Sequence, residues 1–458
     1  MTSNDASALR DLTVRTLFPG EKGFAEQHAG WNLTATHSPA VVVIPTCAQD
    51  VAEAVRHAAR ARLPVAVQAT GHGVSLPADG AVFINTGQLT ELSVDPDSRT
   101  ARVGAGLRWG EVVAQTATAG LAPLNGSAPG VGVMGYLTGG GLPVLGRRFG
   151  FAADHVRSMQ VVTADGDVRS VSPSADTDLF WAIRGGKSNF GVVTTADIDL
   201  VPMTRLYGGG LFFSGAQAET VLRRYLAWLP EQPEDMCSSM ALLRFPDSPA
   251  LPDQQRARLL IHLRIVYTGP AEEGEQRVAP LRALGPERDT VAEMPYTRIG
   301  EVYGEPTQPT PAWSRATVLR SIDAAAADAL LDIAGPAASL PPGSVEIRHL
   351  GGALSRPATR PGAFGRPQGE FLLSMSMPAP AQAAAASHDA QLAILNRLAE
   401  WDTGTTLPNF MSTSDTTTAD VRRGYTPADY QRLTLLKAAY DPDNIFRINH
   451  NIPPAKTV

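Results

Sequence analysis

Apolar residues recur along the chain at two periods, two and about 3.6, and the changes of period mark out the elements. Val41-Val42-Val43-Ile44 is an unbroken aliphatic run and predicts a strand. Thr46 followed by Gln49 predicts a capping box at a helix start, and Val51, Ala54, Val55, Ala58 and Ala59 then recur at helical spacing. Pro64 ends that helix, and Val65-Ala66-Val67 reads as a second strand. This strand–helix–strand unit empties into Ala69-Thr70-Gly71-His72-Gly73-Val74-Ser75. Further strands are predicted over Ala81–Asn85, Leu92–Val94 and Thr100–Val103, and a helix over Trp109–Ala119. Val161–Thr163 and Val168–Val171, around Asp165-Gly166, carry a hairpin signal.

Near Pro202 the character changes. Between about Leu206 and Trp401, alternating stretches such as Leu259–Tyr267, Ser344–Leu350 and Glu370–Met377 are separated by alanine-rich segments around Ala324–Ala334 and Ala379–Leu398. The alternation predicts an antiparallel sheet with helices on one face, and the alanine runs predict surface helices. Pro357, Pro361 and Pro367 predict a long irregular loop. The tail reads as a helix over Pro427–Tyr440, then Asp441-Pro442 and a short extended end.

Composition narrows the class. Hydrophobic residues make up 43% of the 458, enough for a full core, which rules out a mostly disordered chain. The net charge of -6 has the wrong sign for a general nucleic-acid binder. Two cysteines, Cys47 and Cys237, exclude a disulfide framework and a multi-cysteine metal site. No stretch approaches the roughly 18 consecutive apolar residues of a membrane helix, and Met1–Gly20 has no signal-peptide core. The expectation is a cytoplasmic protein that avoids membranes. Asn32-Leu33-Thr34 matches a glycosylation tripeptide, but nothing else suggests secretion.

Several glycine motifs fail on inspection. Gly104-Ala105-Gly106 lies between a strand and a helix, but the third glycine of a dinucleotide fingerprint would fall at Trp109. Gly130-Val131-Gly132-Val133-Met134-Gly135 has the right spacing, yet no strand precedes it and Gly139-Gly140-Gly141 would break the required helix. Gly186-Lys187-Ser188 imitates the end of a phosphate loop, but Trp181 stands where that loop needs glycine. The nine histidines are scattered without ligand spacing, so no metal site is expected.

Four blocks in order carry a stronger signal: Thr70-Gly71-His72-Gly73, Gly126 to Gly141, Phe180 to Val193, and Tyr440 to Phe446 with Asn449 to Pro453. Nine glycines lie between Gly126 and Gly150, against about two expected from 42 in 458. Together the blocks resemble the flavin-dependent oxidases of the vanillyl-alcohol-oxidase superfamily, in the berberine-bridge-enzyme-like branch. The resemblance implies an α+β, two-domain PCMH-type FAD-binding fold with an antiparallel-sheet substrate domain. Residues 1–205 would form the FAD-binding part, 206–405 the substrate-binding part, and 406–458 a segment returning to the FAD domain.

The physical reading of the blocks agrees with the resemblance. A tight glycine turn after a strand points successive N–H groups at one spot, an anion nest for a pyrophosphate. The cofactor-binding residues so implied are Ala69, Thr70, Gly71, His72, Gly73 and Val74, then Gly126, Ser127, Gly130, Val131, Gly132, Val133, Gly135, Tyr136 and Gly140, then Gly191, Val193, Asn449 and Asn451. By the resemblance, His72 bonds covalently to the 8α-methyl of FAD, which requires a neutral ring nitrogen as nucleophile. Ala128 stands where the family often carries a cysteine bonded to flavin C6, so attachment through His72 alone is expected. Val131 falls at the family's oxygen-gating position, and its small size resembles members that react with oxygen.

The base does not carry over. Leu407 replaces the tyrosine that the family frequently places two positions before the asparagine matched by Asn409, and Tyr136 replaces a usual histidine. Candidates for the catalytic role are Tyr136, Glu346, Arg348 and His349, the last three on a strand expected to face the isoalloxazine ring. By alternation Glu346 and Arg348 share one face and His349 takes the other. A buried Glu346–Arg348 ion pair is an equal reading, and Tyr296 and Tyr303 are further candidates. The implied activity is hydride removal from a small organic substrate to flavin N5, with reoxidation by O2 to H2O2, in natural-product tailoring. A flavoprotein cyclase or isomerase without net oxidation stays open, as does a flavin-holding relative without catalysis.

Overall fold

The structure is a computed structural model that describes residues 12–73, 76–249, 251–252, 255–378 and 383–456. The valine run forms the strand Val41–Val43, and Val65–Gln68 the second. Both pair in parallel with Val82–Asn85, which lies between them, while Thr16–Leu17 closes the edge antiparallel. Continuous aliphatic runs suit strands covered on both faces, and Val41, Val42 and Val43 are fully buried. The helix between them, Ala48–Ala61, is not started by the predicted capping box. Thr46 instead donates its backbone N–H and its hydroxyl to the Asp50 carboxylate, at 2.7 and 2.9 Å, because an acid reaches the orphan groups that Gln49 leaves alone.

A second sheet is wholly antiparallel, in the order Leu92–Asp95, Thr100–Gly104, Val192–Asp199, Val156–Val162, Val168–Val171. The predicted hairpin is its edge; Gly166 takes φ +79 and Asp165 accepts from Thr163 Oγ1 and the Asp167 N–H. The helix after Thr100–Gly104 spans Trp109–Ala117, two residues shorter than its periodicity implied.

The middle of the chain builds a large antiparallel sheet in which Leu259–Tyr267, Met236–Arg244, Gly343–His349 and Phe371–Pro378 lie side by side. Its alternation sorts chemistry cleanly. Leu263, Ile265, Val345, Ile347 and Leu373 join a core with the helices Ala218–Trp228, Ala271–Arg282, Ala324–Ala334 and Ala384–Arg397. Arg264, Glu346, Arg348 and Ser374 point the other way. The alanine helices are thus not simple surface helices. Ala326, Ala327 and Ala329 are buried, since small side chains let a helix sit close to the sheet. Residues 379–382 of the second predicted alanine segment lie outside the described residues.

A second core joins the N-terminal third of the chain to the tail, from Leu12 and Val41 through Phe190 to Leu433, Phe446 and Ile452. The proline loop is held by Arg184, buried without a carboxylate, which donates to the carbonyls of Phe180, Ala153, Arg360 and Pro361. Asn32 is also spoken for, its amide donating to Ala312 O at 3.0 Å. Among the described residues, no helix is long and apolar enough to cross a membrane.

Candidate active site

A cavity of about 800 Å³ lies between the glycine blocks and the polar face of the large sheet. Its floor begins where Val65–Gln68 ends. The carbonyls of Thr70 and Gly71 turn outward to accept from Trp31 and Asn32, at 2.8 and 3.1 Å. Gly71 has φ +70, and a Cβ there would collide with the Cα of Gly30. The N–H groups of Gly71, His72 and Gly73 have no acceptor among the described residues. Three consecutive free N–H groups make a nest for an anion. Val74 lies outside the described residues.

His72 is half-buried and stacks on Trp31, with ring centroids 4.4 Å apart and planes 11° apart. Its Nδ1 lies 3.1 Å from Thr70 Oγ1, which in turn accepts from the Gly132 N–H at 3.3 Å. Burial, helped by the Arg108 charge, pulls the imidazole down to about 4. The ring is therefore neutral at pH 7, the state a nucleophile needs.

The second block packs around one aromatic ring. A Cβ on Gly126 would lie 2.9 Å from Tyr136 Cε2, and one on Gly141 only 2.5 Å from Cε1. These glycines make room for Tyr136, which also meets Trp109 edge-on at 5.4 Å. The Tyr136 hydroxyl is buried without a partner and lines the cavity. Burial raises it well above the usual phenol range, so it stays protonated at neutral pH and can donate a hydrogen bond. Asn409 secures the same block, accepting from the Gly141 N–H at 2.6 Å and donating to Gly135 O at 3.3 Å.

The roof is an ionic row fixed by strand register. Ser239 pairs with both Arg264 and Arg348, so the two arginines flank it on neighbouring strands. Glu346 Oε1 lies 3.1 Å from Arg264 Nη1 and 3.2 Å from Arg348 Nη2. The two guanidinium carbons sit 4.7 and 4.9 Å from the centre of the Tyr303 ring. Burial opposes ionisation of Glu346, but Arg348 and Arg264 outweigh it and hold the carboxyl at about 2. A carboxylate that acidic is a poor proton acceptor.

His349, the residue after Arg348, leaves the cavity as alternation requires. Its Nε2 lies 3.2 Å from Arg147 Nη1, and burial, with Arg147 beside it, lowers it to about 3. It does not line the cavity with Glu346 and Arg348, so the alternation holds while the candidacy of His349 for the catalytic role is corrected. Tyr296 is also elsewhere, its hydroxyl on Pro123 O and Asn125 Oδ1. Four expected cofactor residues lie off the cavity lining: Gly130, Val133, Gly140 and Asn451. Gly130 touches His72 instead, Val133 is fully buried in the core, and Gly140 backs onto the Phe364 ring. The others that lie within the described residues line it, from Ala69 to Gly73, Gly126, Ser127, Val131, Gly132, Gly135, Tyr136, Gly191, Val193 and Asn449.

Sequence reasoning missed Lys187. It lines the cavity at φ +55, its Nζ 2.9 Å from His450 Nδ1, and burial lowers it to about 8 although Asp415 opposes the fall. A lysine interrupting a glycine-rich block was the available signal. Arg264, also missed, is invisible without the sheet register.

The free N–H triad suits the pyrophosphate of a large anionic cofactor. Gly73 and Gly135 line the cavity with nothing within 4 Å of a would-be Cβ, and the buried Tyr136 hydroxyl and Asn449 Oδ1 lack partners. These are the marks of a cradle shaped for a bound group. The family described as FAD binding domain matches residues 39–172, and the one described as berberine and berberine like matches residues 410–453. The chain thus carries an FAD-binding region and a berberine-bridge-like segment, and the relatives it resembles are FAD-linked oxidoreductases. It is 28% identical over 468 residues to (R)-6-hydroxynicotine oxidase of Paenarthrobacter nicotinovorans, covering 99% of each chain. Its fold is that of 6-hydroxy-D-nicotine oxidase from Arthrobacter nicotinovorans, with a TM-score of 0.84 at 24% identity over 97% of this chain and 99% of that one. Glucooligosaccharide oxidase from Acremonium strictum, described as carrying a 6-S-cysteinyl, 8α-N1-histidyl FAD, shares the fold at TM-score 0.84 and 18% identity, over 99% and 100% of the two chains. In this chain Ala128 lines the cavity, whereas Cys47 and Cys237 do not.

Proposed function

We propose that this chain is an oxidase that holds FAD covalently through His72 alone and dehydrogenates a small organic molecule under the polar face of its large sheet. The observation that carries the reading is His72 itself: a neutral imidazole, stacked on Trp31 and steered by Thr70, beside three free N–H groups. Residues 1–205 with 406–458 would hold the cofactor, and 206–405 would face the substrate. Bound there, FAD supplies a two-electron acceptor, so a CH–OH or CH–NH pair becomes C=O or C=N and O2 takes up the electrons and two protons as H2O2.

The chain's own residues set the conditions. Gly71, His72 and Gly73 would hold the pyrophosphate through their N–H groups. Tyr136 keeps its proton and offers a hydrogen bond from its hydroxyl into the cavity. Arg264, Glu346 and Arg348 hold the substrate rather than take its proton, because Glu346, kept ionised by its two arginines, is a poor proton acceptor. Val131, on the cavity wall, leaves room for oxygen. The name of the nicotine oxidase relative favours net oxidation over a redox-neutral cyclisation. A role in natural-product tailoring and a cytoplasmic location, the latter supported by two unpaired cysteines, complete the reading.

The test is stoichiometry. A substrate that bleaches the flavin without air should, in air, consume one O2 and yield one H2O2 per turnover. Turnover without oxygen uptake would replace this reading with the redox-neutral one. Val131→Leu should slow reoxidation while leaving anaerobic reduction unchanged.

A further inference from the structure

The roof carries an unbalanced charge. Arg264, Glu346 and Arg348 are each more than nine-tenths buried, at 7, 8 and 8% exposure, and their charges sum to +1. Glu346 satisfies part of each guanidinium, and Arg264 Nε adds a 3.3 Å bond to His262 Nδ1. Arg264 Nη2 and Arg348 Nη1 have no partner among the described residues, although both arginines line the cavity. The cavity's other acid, Glu305, acts on Arg348 through space, but it is exposed, bonded by Ser127 and forms no ion pair with either arginine among the described residues. Burying a net cation is costly unless an anion completes it, and a planar guanidinium matches a carboxylate best.

We propose that the substrate carries a carboxylate, seated on the free edges of Arg264 and Arg348 so that the row reads as two cations and two anions. The proposal rests on the flavoenzyme reading and names the substrate class of the same site. One negative charge balances the row. A neutral sugar could accept hydrogen bonds from the guanidinium edges but would leave the buried charge uncompensated, and a cationic amine would be repelled. Across strands, Arg264 and Arg348 stand on either side of Ser239, so the seat is built by backbone register rather than by mobile loops.

Calorimetric titration of the full-length holoprotein with benzoate and with its neutral isostere benzamide tests this. Benzoate should bind about tenfold or more tighter than benzamide. Arg264→Gln leaves the Glu346–Arg348 pair intact, makes the row neutral and should erase that preference. Glu346→Gln raises the row to two positive charges and should strengthen it. Arg348→Lys keeps the charge and should retain part of it; urea unfolding of each variant confirms a folded protein. Equal binding of the two probes, no benzoate binding, or a preference untouched by Arg264→Gln overturns the proposal. So does an Arg264→Gln effect confined to the flavin spectrum, which would assign the arginines to the cofactor. Calorimetry needs no chromophore, so a colourless protein that still prefers benzoate would sink the flavin reading and leave the carboxylate seat standing.

Discussion

Replacing Asp441 with asparagine should loosen the lock that holds the tail against the cofactor site. Lys437 and Asp441 are both fully buried. Lys437 Nζ donates to Asp441 Oδ2 at 2.6 Å, to Asn189 O at 2.6 Å and to Phe446 O at 3.2 Å. The carboxylate also accepts from the N–H groups of Ile445 and Phe446, at 2.9 and 3.0 Å. One ion pair therefore ties the helix Pro427–Tyr440 and the turn after it to the third glycine block. Removing one partner of such a pair costs about 3–5 kcal/mol.

Part of that cost depends on pH, with a definite sign. Burial lowers Lys437 to about 8 despite Asp441. In the native protein stability rises between pH 8 and about 10.4, because the folded amine is neutral there while the unfolded one still binds a proton. In Asp441→Asn the unpaired amine sheds its proton in the fold already at pH 7. The wild type keeps its proton one pH unit below its folded value, so the variant loses about 1.4 kcal/mol at pH 7 from this source and almost nothing at pH 9.5. Urea unfolding should thus give a destabilisation of about 3–5 kcal/mol at pH 7 that shrinks by about 1.4 kcal/mol at pH 9.5. A loss below about 1 kcal/mol, or one equal at both pH values, would refute the reasoning.

Gly71→Ala should cost about 2–5 kcal/mol by urea unfolding and lower the flavin content, since it combines a positive φ with a backbone collision. Tyr136→Phe should raise the stability of flavin-free protein by about 1 kcal/mol, by deleting an unpaired buried hydroxyl, and lower turnover of the holoenzyme. Lys187 loses its charge as pH rises through about 8, so non-covalent FAD affinity, measured on His72→Ala protein, should fall over that range and stay flat in the Lys187→Met double variant.

The legible parts of the fold and site were those set by local chemistry. The alternation in Gly343–His349 correctly put Glu346 and Arg348 on one face, and that same alternation removed His349 from the site. The aliphatic run at Val41–Val43 and the helix Pro427–Tyr440 stood out for their periods alone. Features that depend on strands meeting were hidden. Arg264 lies more than eighty residues from Arg348 and comes beside it only because their strands pair on either side of Ser239. Tyr296 looked as eligible as Tyr303, but a 3-10 turn at Tyr296–Val302 sends its hydroxyl to Pro123. Thr46 had two polar partners within reach, and the N-cap at Cys47, one residue later than expected, puts Asp50 rather than Gln49 at the third helical position.

Covalent tethering is the claim on which the functional account stands, and the mass of the proteolytic peptide bearing His72 tests it most directly. After acid precipitation the pellet should stay yellow, and that peptide should be heavier by one FAD, a modification absent from His72→Ala protein. Colour released to the supernatant together with an unmodified His72 peptide, or flavin found on another residue, would contradict the account.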